Sequence, residues 1–265
     1  MAVFQSLIIG TSGRSVPCFL EFSLDANNKI TRQVGVVLTG AEDIGDCVLY
    51  QICYTDEQKT EILGSAFLNS TTLRRISGSQ ACQNAFARQQ GITETGMDYV
   101  ETISGIYACQ NMFEYCRGLT RSGLGNLKTL SGNGACNNMF LGCSNLVDAE
   151  MGNLETISSY QYYMFRNCPK LETVSFDKLS SVNANQAMYR FFWGSTGLKN
   201  IYFRALKSTS FGSFNTVFKE MLLGVTGCAV HFPSNLQSVI SGWSDVQSGF
   251  GGTNTVLAFD LPATE

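Results

Sequence analysis

The sequence is poor in charge, in proline and in histidine. Only 15% of its 265 residues are charged, the formal net charge is -3, and four prolines stand against 26 glycines. Without a basic field the chain has little to attract phosphates, so nucleic acid is not expected as a partner. The single histidine, His231, lies between Val230 and Phe232 in an alternating pattern typical of a strand. No catalytic triad can be argued around it.

The sequence also lacks the motifs of common enzymes. It contains no Walker A loop, no dinucleotide-binding glycine fingerprint and no His-x-x-x-His pair. The glycine-rich residues 249–253 lack the lysine of a phosphate loop and are predicted to be a turn before a final strand over 256–261. We therefore expect a protein without catalytic activity, without a cofactor and without a metal site.

The N-terminus offers no export or membrane signal. Its first ten residues contain no lysine or arginine, and Gln5 and Ser6 interrupt their apolar stretch, which does not match a secretory signal peptide. No run approaches the roughly 20 apolar residues that span a bilayer. We expect a chain that is made in the cytoplasm and has no membrane span, and release by cell lysis is compatible with this expectation.

What the chain does contain is an internal repeat. The segments Ala-Cys-Gln-Asn-Ala-Phe, Ala-Cys-Gln-Asn-Met-Phe and Ala-Cys-Asn-Asn-Met-Phe follow one another at steps of 27 residues. In the clearest copies a cysteine comes three residues after the phenylalanine, and a leucine three residues later. One such unit cannot bury its own apolar positions, so successive units must stack around a continuous core. The copies are anchored at Phe86, Phe113, Phe140, Phe165, Phe192 and, more weakly, Phe218.

Each unit is predicted to hold one short strand and one tight turn. Val174 and Phe176, like Ile201 and Phe203, alternate with polar residues at the period of a strand. Before the strand, Asn-Met-Phe-x-x-Cys spaces apolar side chains three apart, which suits a helical or 3₁₀ turn. The predicted fold class is an α/β-type repeat solenoid, a leucine-rich-repeat coil of short parallel strands and helical or 3₁₀ turns.

The unit Met-Phe-x-x-Cys-x-x-Leu, followed by Leu-x-x-Ile, resembles the BspA-like (treponemal-type) leucine-rich repeats. The resemblance covers roughly residues 61–226 and is greatest to repeat proteins carried by gut bacteria and their phages. Val-His-Phe-Pro-Ser-Asn-Leu over 230–236, with Gly-Trp-Ser-Asp over 242–245, is similar to the terminal unit of that family: a strand, a proline turn and a short helix.

The ends of the chain are expected to close the solenoid. Strand-like runs at 6–9, 19–22 and 34–38 suggest a small β cap, although residues 43–50 resemble a degenerate coil. The sequence thus predicts an N-terminal β cap or attachment module over 1–60, BspA-like repeats over 61–226 and a C-terminal capping unit over 227–265.

Four columns of polar or sulfur-containing residues are expected if equivalent positions stack. Cysteine columns would bring Cα atoms within disulfide range, because neighbouring strands lie about 4.8 Å apart. Packed thiols are favoured over disulfides or a metal site, since Cys-x6-Cys is not a zinc spacing. A buried asparagine column is expected to satisfy turn carbonyls, and a column of alternating charge to pair across strands. The columns are Cys82, Cys109 and Cys136 with Cys116, Cys143 and Cys168; Asn84, Asn111 and Asn138; and Glu101, Lys128 and Glu155.

Two surfaces are predicted to bind a partner. The first consists of outward strand positions, which vary from unit to unit: Arg121, Asp148, Glu150, Glu172, Thr173, Lys199, Asn200, Tyr202 and Arg204. The second is an aromatic cluster of Tyr160, Tyr162, Tyr163, Tyr189 and Trp193. Tyrosine and tryptophan are good interface anchors and stack on sugar faces, but packing or a subunit contact would also explain this cluster.

Three functions fit these expectations. A phage virion component of tail- or head-fibre type would present the repeats to a glycan or protein on the host surface; the missing signal peptide and the resemblance to phage-carried proteins favour it. A BspA-like adhesin on the bacterial surface is the second function, and it requires a leader that the sequence does not show. A scaffold without its own ligand is the third. The N-terminal segment would contact other proteins of the assembly, and a homotrimer is expected by analogy with fibre proteins.

Overall fold

A parallel β-solenoid of about six turns forms the body of the protein. The structure, a computed structural model, describes residues 2–7, 18–24, 30–38, 41–46, 49, 68–182, 184–209, 217–241 and 249–264. The repeat solenoid predicted from the 27-residue periodicity is therefore confirmed at the level of its architecture.

Three antiparallel strands precede the solenoid. They are β1 (Ala2–Leu7), β2 (Cys18–Leu24) and β3 (Ile30–Leu38), and β3 then pairs in parallel with β5 (Leu68–Asn69). A terminal strand of a solenoid has unpaired N–H and C=O groups that invite pairing with other chains. Because β3 pairs with β5, it occupies the edge of that strand.

One side of the solenoid is a parallel sheet of two-residue strands. Its inward residues, such as Ile76, Ile103 and Leu130, are fully buried. Lys128 Nζ lies 2.8 Å from Glu101 Oε2 on the neighbouring coil, as the alternating charges predicted. The sheet begins upstream of residue 60, within the stretch predicted to be a degenerate coil. In spatial order its strands are β4 (Asp43–Ile44), β6 (Arg75–Ile76), β7 (Thr102–Ile103), β8 (Thr129–Leu130), β9 (Thr156–Ile157) and β11 (Ser181–Val182).

A second parallel sheet contains β10 (Thr173–Phe176), β12 (Asn200–Phe203), β13 (Ala229–Pro233) and β14 (Val256–Leu261). The inward residues of β10 and β12 are the predicted apolar pairs, and the final strand has its predicted bounds. A 3₁₀ turn (Ser234–Leu236) and α1 (Gln237–Ser241) follow Pro233, as the terminal unit predicted. Trp243, Ser244 and Asp245 of that prediction lie outside the described residues.

The turns predicted to be helical or 3₁₀ are instead arcs of consecutive β-turns. The backbone amides of the arc 80–88 alternate between two kinds of hydrogen bond. One amide donates within the arc to the carbonyl three residues earlier, as Ala85 N does to Cys82 O at 3.0 Å. The next amide donates to a carbonyl of the following coil, as Phe86 N does to Met112 O at 3.0 Å. Every fourth residue has left-handed backbone, which stops a helix from continuing. Helix makes up only about 5% of the protein, so the α/β class with helical turns is not confirmed.

The asparagine column occupies the left-handed positions of these arcs. Asn84, Asn111 and Asn138 have φ of 55°, 54° and 54°, a region that asparagine tolerates better than most residues. The side chains are half-buried, and Asn111 Nδ2 donates to Asn84 Oδ1 at 3.0 Å. At this step one side-chain amide donates to the next, a pairing that the sequence did not predict.

We expect Asn138→Gly to be more stable than Asn138→Ala. Alanine at φ 54° would bring its Cβ close to the following carbonyl, at a cost of about 1–2 kcal/mol, whereas glycine has no such penalty. Chemical denaturation of the two variants measures the difference. An alanine variant as stable as the glycine variant would contradict the role of left-handed backbone in this column.

Stacked phenylalanines form the centre of the core. Phe86, Phe113, Phe140 and Phe165 are fully buried, and successive ring centroids lie 5.5, 5.6 and 5.3 Å apart. Phe192 continues the ladder at 5.8 Å. The next predicted anchor, Phe218, does not continue the ladder, because it lies four residues before the position aligned with Phe192. In the earlier coils each amide donates to the carbonyl that precedes its aligned residue, as Phe86 N does to Met112 O beside Phe113. By the same rule, the bond from Phe192 N to Met221 O aligns Phe192 with Leu222, and the bond from Met188 N to Val217 O aligns Met188 with Phe218.

The cysteine columns contain thiols that form no disulfides. The seven cysteines whose side chains the structure describes are all buried and are not joined by disulfides, as the favoured prediction states. Cys143 Sγ donates to Phe113 O at 3.1 Å, and where the column changes to serine, Ser195 Oγ donates to Phe165 O at 2.6 Å. Burial raises the pKa of Cys168 to about 12, so its thiol stays protonated at neutral pH. These side chains fill the core and donate to the backbone of the preceding coil.

Candidate functional site

The predicted strand residues lie on one outer surface, which we call the strand face. It comprises the outward side chains of β10, β12, β13 and β14 and those of the earlier coils that lead up to them. Arg121 and Asp148 form a parallel bridge there, and Thr173 lies opposite Asn200. Exposed on this face are Arg121, Asp148, Glu172, Thr173, Lys199 and Arg204; half-buried are Glu150, Asn200 and Tyr202.

Most charges on the strand face are paired with a neighbouring coil. Arg121 Nη2 lies 2.6 Å from Asp98 Oδ1 and 2.7 Å from Glu150 Oε1, and these carboxylates, Glu150 first, raise the pKa of Arg121. Lys199 Nζ lies 2.9 Å from Glu172 Oε2. The face is therefore a mosaic of both signs, which favours a partner recognised by shape and hydrogen bonds over one attracted by charge alone.

Glu150 also has a structural role that the sequence did not predict. Its carboxylate accepts the backbone N–H of Gly123 at 2.5 Å, in addition to the contact with Arg121. Its side chain is only 15% exposed. Of the nine predicted residues, Glu150 is thus the one most committed to holding two coils together.

Two open grooves lie on the strand face. The larger, of about 690 Å³, is lined by the predicted Asp148, Glu172 and Thr173 together with Val147, Pro169 and Lys170. The smaller, of about 340 Å³, is lined by Arg121 with Glu94, Thr95, Asp98, Tyr99 and Gly123. Val147 is 52% exposed, which is unusual for a large apolar side chain in this protein. The grooves combine apolar, polar and charged walls, as small binding sites do.

Near the C-terminal end of the strand face, the Tyr202 ring contacts His231 and Arg204. The rings of Tyr202 and His231 are stacked with centroids 4.3 Å apart, and the Arg204 guanidinium lies 4.8 Å from the Tyr202 centroid. Arg204 Nε also lies 2.9 Å from Asp177 Oδ1. The sequence analysis selected Tyr202 and Arg204 as binding residues, but not His231, which stacks on Tyr202.

His231 lies in β13, in the strand that the alternating pattern predicted, and its side chain is partly exposed, at 13%. Nδ1 lies 2.9 Å from both carboxyl oxygens of Asp260, and Nε2 lies 3.2 Å from Asn200 Oδ1. Because both ring nitrogens contact these partners, the histidine connects β12, β13 and β14 across the strand face. The sequence could have suggested the contact between His231 and Asp260, since both residues lie in predicted strands of the terminal unit.

The five predicted aromatic residues come together on the arcs. Tyr160 and Tyr162 are stacked at 4.8 Å, Tyr162 meets Tyr189 edge to face at 5.2 Å, and Tyr163 lies 5.7 Å from Trp193. All five are half-buried. We call these residues the aromatic patch.

The hydroxyl groups of the aromatic patch are hydrogen-bonded at its rim. Tyr162 donates to Gln186 Oε1 at 2.6 Å, and the hydroxyls of Tyr160 and Tyr107 are 3.2 Å apart. This hydrogen bond and burial raise the pKa of Tyr160 to about 12. The Tyr160 phenol is therefore a neutral donor and acceptor at physiological pH.

Two arginines that the sequence reasoning missed lie over the aromatic patch. The Arg166 guanidinium is 3.9 Å from the Trp193 centroid and 5.6 Å from that of Tyr163. The Arg190 guanidinium is 4.9 Å from the Tyr189 centroid. Arg166 precedes Trp193 by one repeat length, so aligning the coils would have predicted their contact.

No three His, Cys, Asp or Glu side chains in the described part of the chain are grouped so that they could hold a metal ion. None of the described helices has the length and apolar character that crossing a membrane requires.

Comparison with known proteins gives no match. No protein-family model matches the chain, and neither the curated proteins nor the solved structures include a significant match. The resemblance to BspA-like repeats therefore stays a prediction from the repeat residues.

Proposed function

We propose that the protein is a non-enzymatic binding protein of BspA-like repeats, a phage virion component of tail- or head-fibre type. In this proposal the strand face contacts a glycan or protein on the host surface, and the N-terminal strands attach the solenoid to the virion assembly as a homo-oligomer. The observation that carries the proposal is the strand face itself: varied side chains from successive coils share one outer surface and border two open grooves.

The strand face is well suited to binding because it is rigid. Its strands are parallel and in register, and the buried residues beneath them, such as Val174, Ile201 and Phe203, fix their position. A preorganised surface loses little conformational freedom when a partner binds. Tyr202 and Arg204 are of the residue types that most often dominate binding energy. We therefore expect the end of the strand face that carries Tyr202 and Arg204 to contribute most of the binding energy.

Replacing both Tyr202 and Arg204 with alanine is expected to weaken binding to intact host cells by tenfold or more, since each anchor of this kind is worth about 2 kcal/mol. Binding of purified full-length protein to host cells and to cell-envelope fractions measures the effect. Lys178→Ala is the matched control, because Lys178 is exposed but lies in the turn after β10.

Three results would contradict the proposal. Equal retention of wild type and double variant on host cells would show that this end of the strand face is not the binding site. Absence of retention on every host fraction would favour a scaffold. Detection of the protein on intact, uninfected bacteria would favour the surface adhesin over the virion component.

A further inference from the structure

Arg166 is a stacked cation without an acceptor. Its Nε is buried and has no hydrogen-bond partner. Within the described ranges no carboxylate lies at ion-pair distance from Arg166, whereas Arg190, its neighbour over Trp193, has Glu220 Oε2 2.5 Å from its Nε. Leaving a buried donor unpaired costs free energy, and folded proteins rarely do so without a reason.

The position of Arg166 suits recognition of a carboxylate. The guanidinium carbon of Arg166 lies 3.9 Å from the centroid of the Trp193 ring, and the residue as a whole is half-buried. Apart from the buried Nε, the guanidinium has two terminal groups, Nη1 and Nη2, which can donate in parallel to both oxygens of a carboxylate. Tyr163, 5.6 Å from the same guanidinium, lies beside it in the aromatic patch.

The surroundings of Arg166 indicate the rest of the ligand. The aromatic patch is half-buried and presents ring edges with neutral hydroxyl groups, together with the amide of Gln186. A sugar has apolar C–H faces that contact rings and hydroxyls that exchange hydrogen bonds with such groups. A uronic or other acidic sugar adds the carboxylate that Arg166 lacks.

We propose that Arg166 and the aromatic patch bind a carboxylate-bearing sugar of an acidic polysaccharide. This site lies on the arcs and goes beyond the function proposed for the strand face. It also does not depend on it, because the two surfaces share no residue. With a formal net charge of -3, the protein has no general attraction for a polyanion, so binding must come from local contacts.

Two polymers that differ only in charge test the proposal. Polygalacturonate carries free carboxylates, and its full methyl ester has the same backbone without charge. We expect the full-length protein to bind polygalacturonate in affinity electrophoresis and calorimetry, and to bind the ester at least about tenfold more weakly, since hydrogen bonds to a charged group are worth more than neutral ones.

Variants then assign the effect to Arg166. Arg166→Gln is expected to lose about tenfold or more in affinity for polygalacturonate, and Arg166→Lys, which retains charge but not the planar fork, to lose less. Arg74→Gln is the matched control: Arg74 also lies over a tyrosine, 5.3 Å from the Tyr99 centroid, but its Nη1 is satisfied by Thr71 O at 2.9 Å. Thermal unfolding confirms that each variant is folded.

Three results would overturn the inference. They are equal binding of polygalacturonate and its ester, unchanged affinity in a folded Arg166→Gln variant, and an equal loss in Arg74→Gln. A concentration-dependent dimer that Arg166→Gln dissolves would also overturn it, since a second copy of the chain would then be the partner of this surface. None of these results bears on host-cell binding through Tyr202 and Arg204.

Discussion

Replacing Phe140 with alanine is expected to lower the free energy of unfolding by about 3–5 kcal/mol, the usual cost of removing a buried aromatic ring. Phe140 is fully buried between Phe113 and Phe165, with ring centroids 5.6 and 5.3 Å away. In a stacked core a missing ring removes contacts from the coils on both sides, and no third element can move in to fill the space. Urea denaturation followed by circular dichroism measures the loss.

Val147→Ala is the control for this experiment. Val147 is apolar but 52% exposed, so truncating it is expected to change stability by no more than about 0.5 kcal/mol. If Phe140→Ala costs no more than this control, the phenylalanine ladder does not stabilise the solenoid as a continuous core.

Gly105→Ala is the second substitution expected to have a large effect. A Cβ on Gly105 would lie 1.9 Å from Gly78 O and 2.5 Å from Gly78 C, both backbone atoms of the preceding coil. The same close approach recurs at Gly132, whose Cβ would lie 2.2 Å from Gly105 O. Since backbone cannot rotate away as a side chain can, the coils must separate, and we expect a loss of more than about 3 kcal/mol or failure to fold.

The matched control for Gly105→Ala is Gly125→Ala. A Cβ on Gly125 would meet only Glu150 Oε1, at 3.8 Å, which is ordinary van der Waals contact. We expect this variant to express and unfold like wild type. Comparable stability of the two alanine variants would show that the coils can separate at Gly105 at little cost.

The repeat was predictable because its signal is spread over many units. The phenylalanine and cysteine columns, the outward strand residues and the final strand all follow from the recurrence of residue types at one spacing. The glycine column after β6, β7 and β8 was present in the sequence as Ile-Ser-Gly, Ile-Ser-Gly and Leu-Ser-Gly, and it was not recognised as a place of close approach between coils.

The conformation of the arcs was harder to predict. Apolar residues three apart fit a 3₁₀ helix and also a series of β-turns, since both make hydrogen bonds from residue i+3 to residue i. What distinguishes them is the left-handed residue at every fourth position. Glycine and asparagine at such positions are recognisable, but Tyr163, Arg190 and Glu220, with φ of 60°, 50° and 53°, give no such signal.

The candidate sites were predicted in location but not in their pairings. Outward residues of stacked strands must share a face, so the strand face followed from the repeat alone. The contact of His231 with Asp260 depends on the length of the last coils. That length changes after Phe192, where the aligned residue is Leu222 and not Phe218.

The hydrogen bonds between arcs have a consequence for how the protein can evolve. Cys82 N–H donates to Ala108 O, and Cys109 N–H donates to Ala135 O in the same way, so each coil offers its predecessor the same row of acceptors. Duplication or deletion of one whole unit would preserve this row, whereas a single inserted residue would disturb its alternation. The length of the solenoid can therefore change by whole repeat units, while every coil keeps the hydrogen-bonding groups that its neighbour requires.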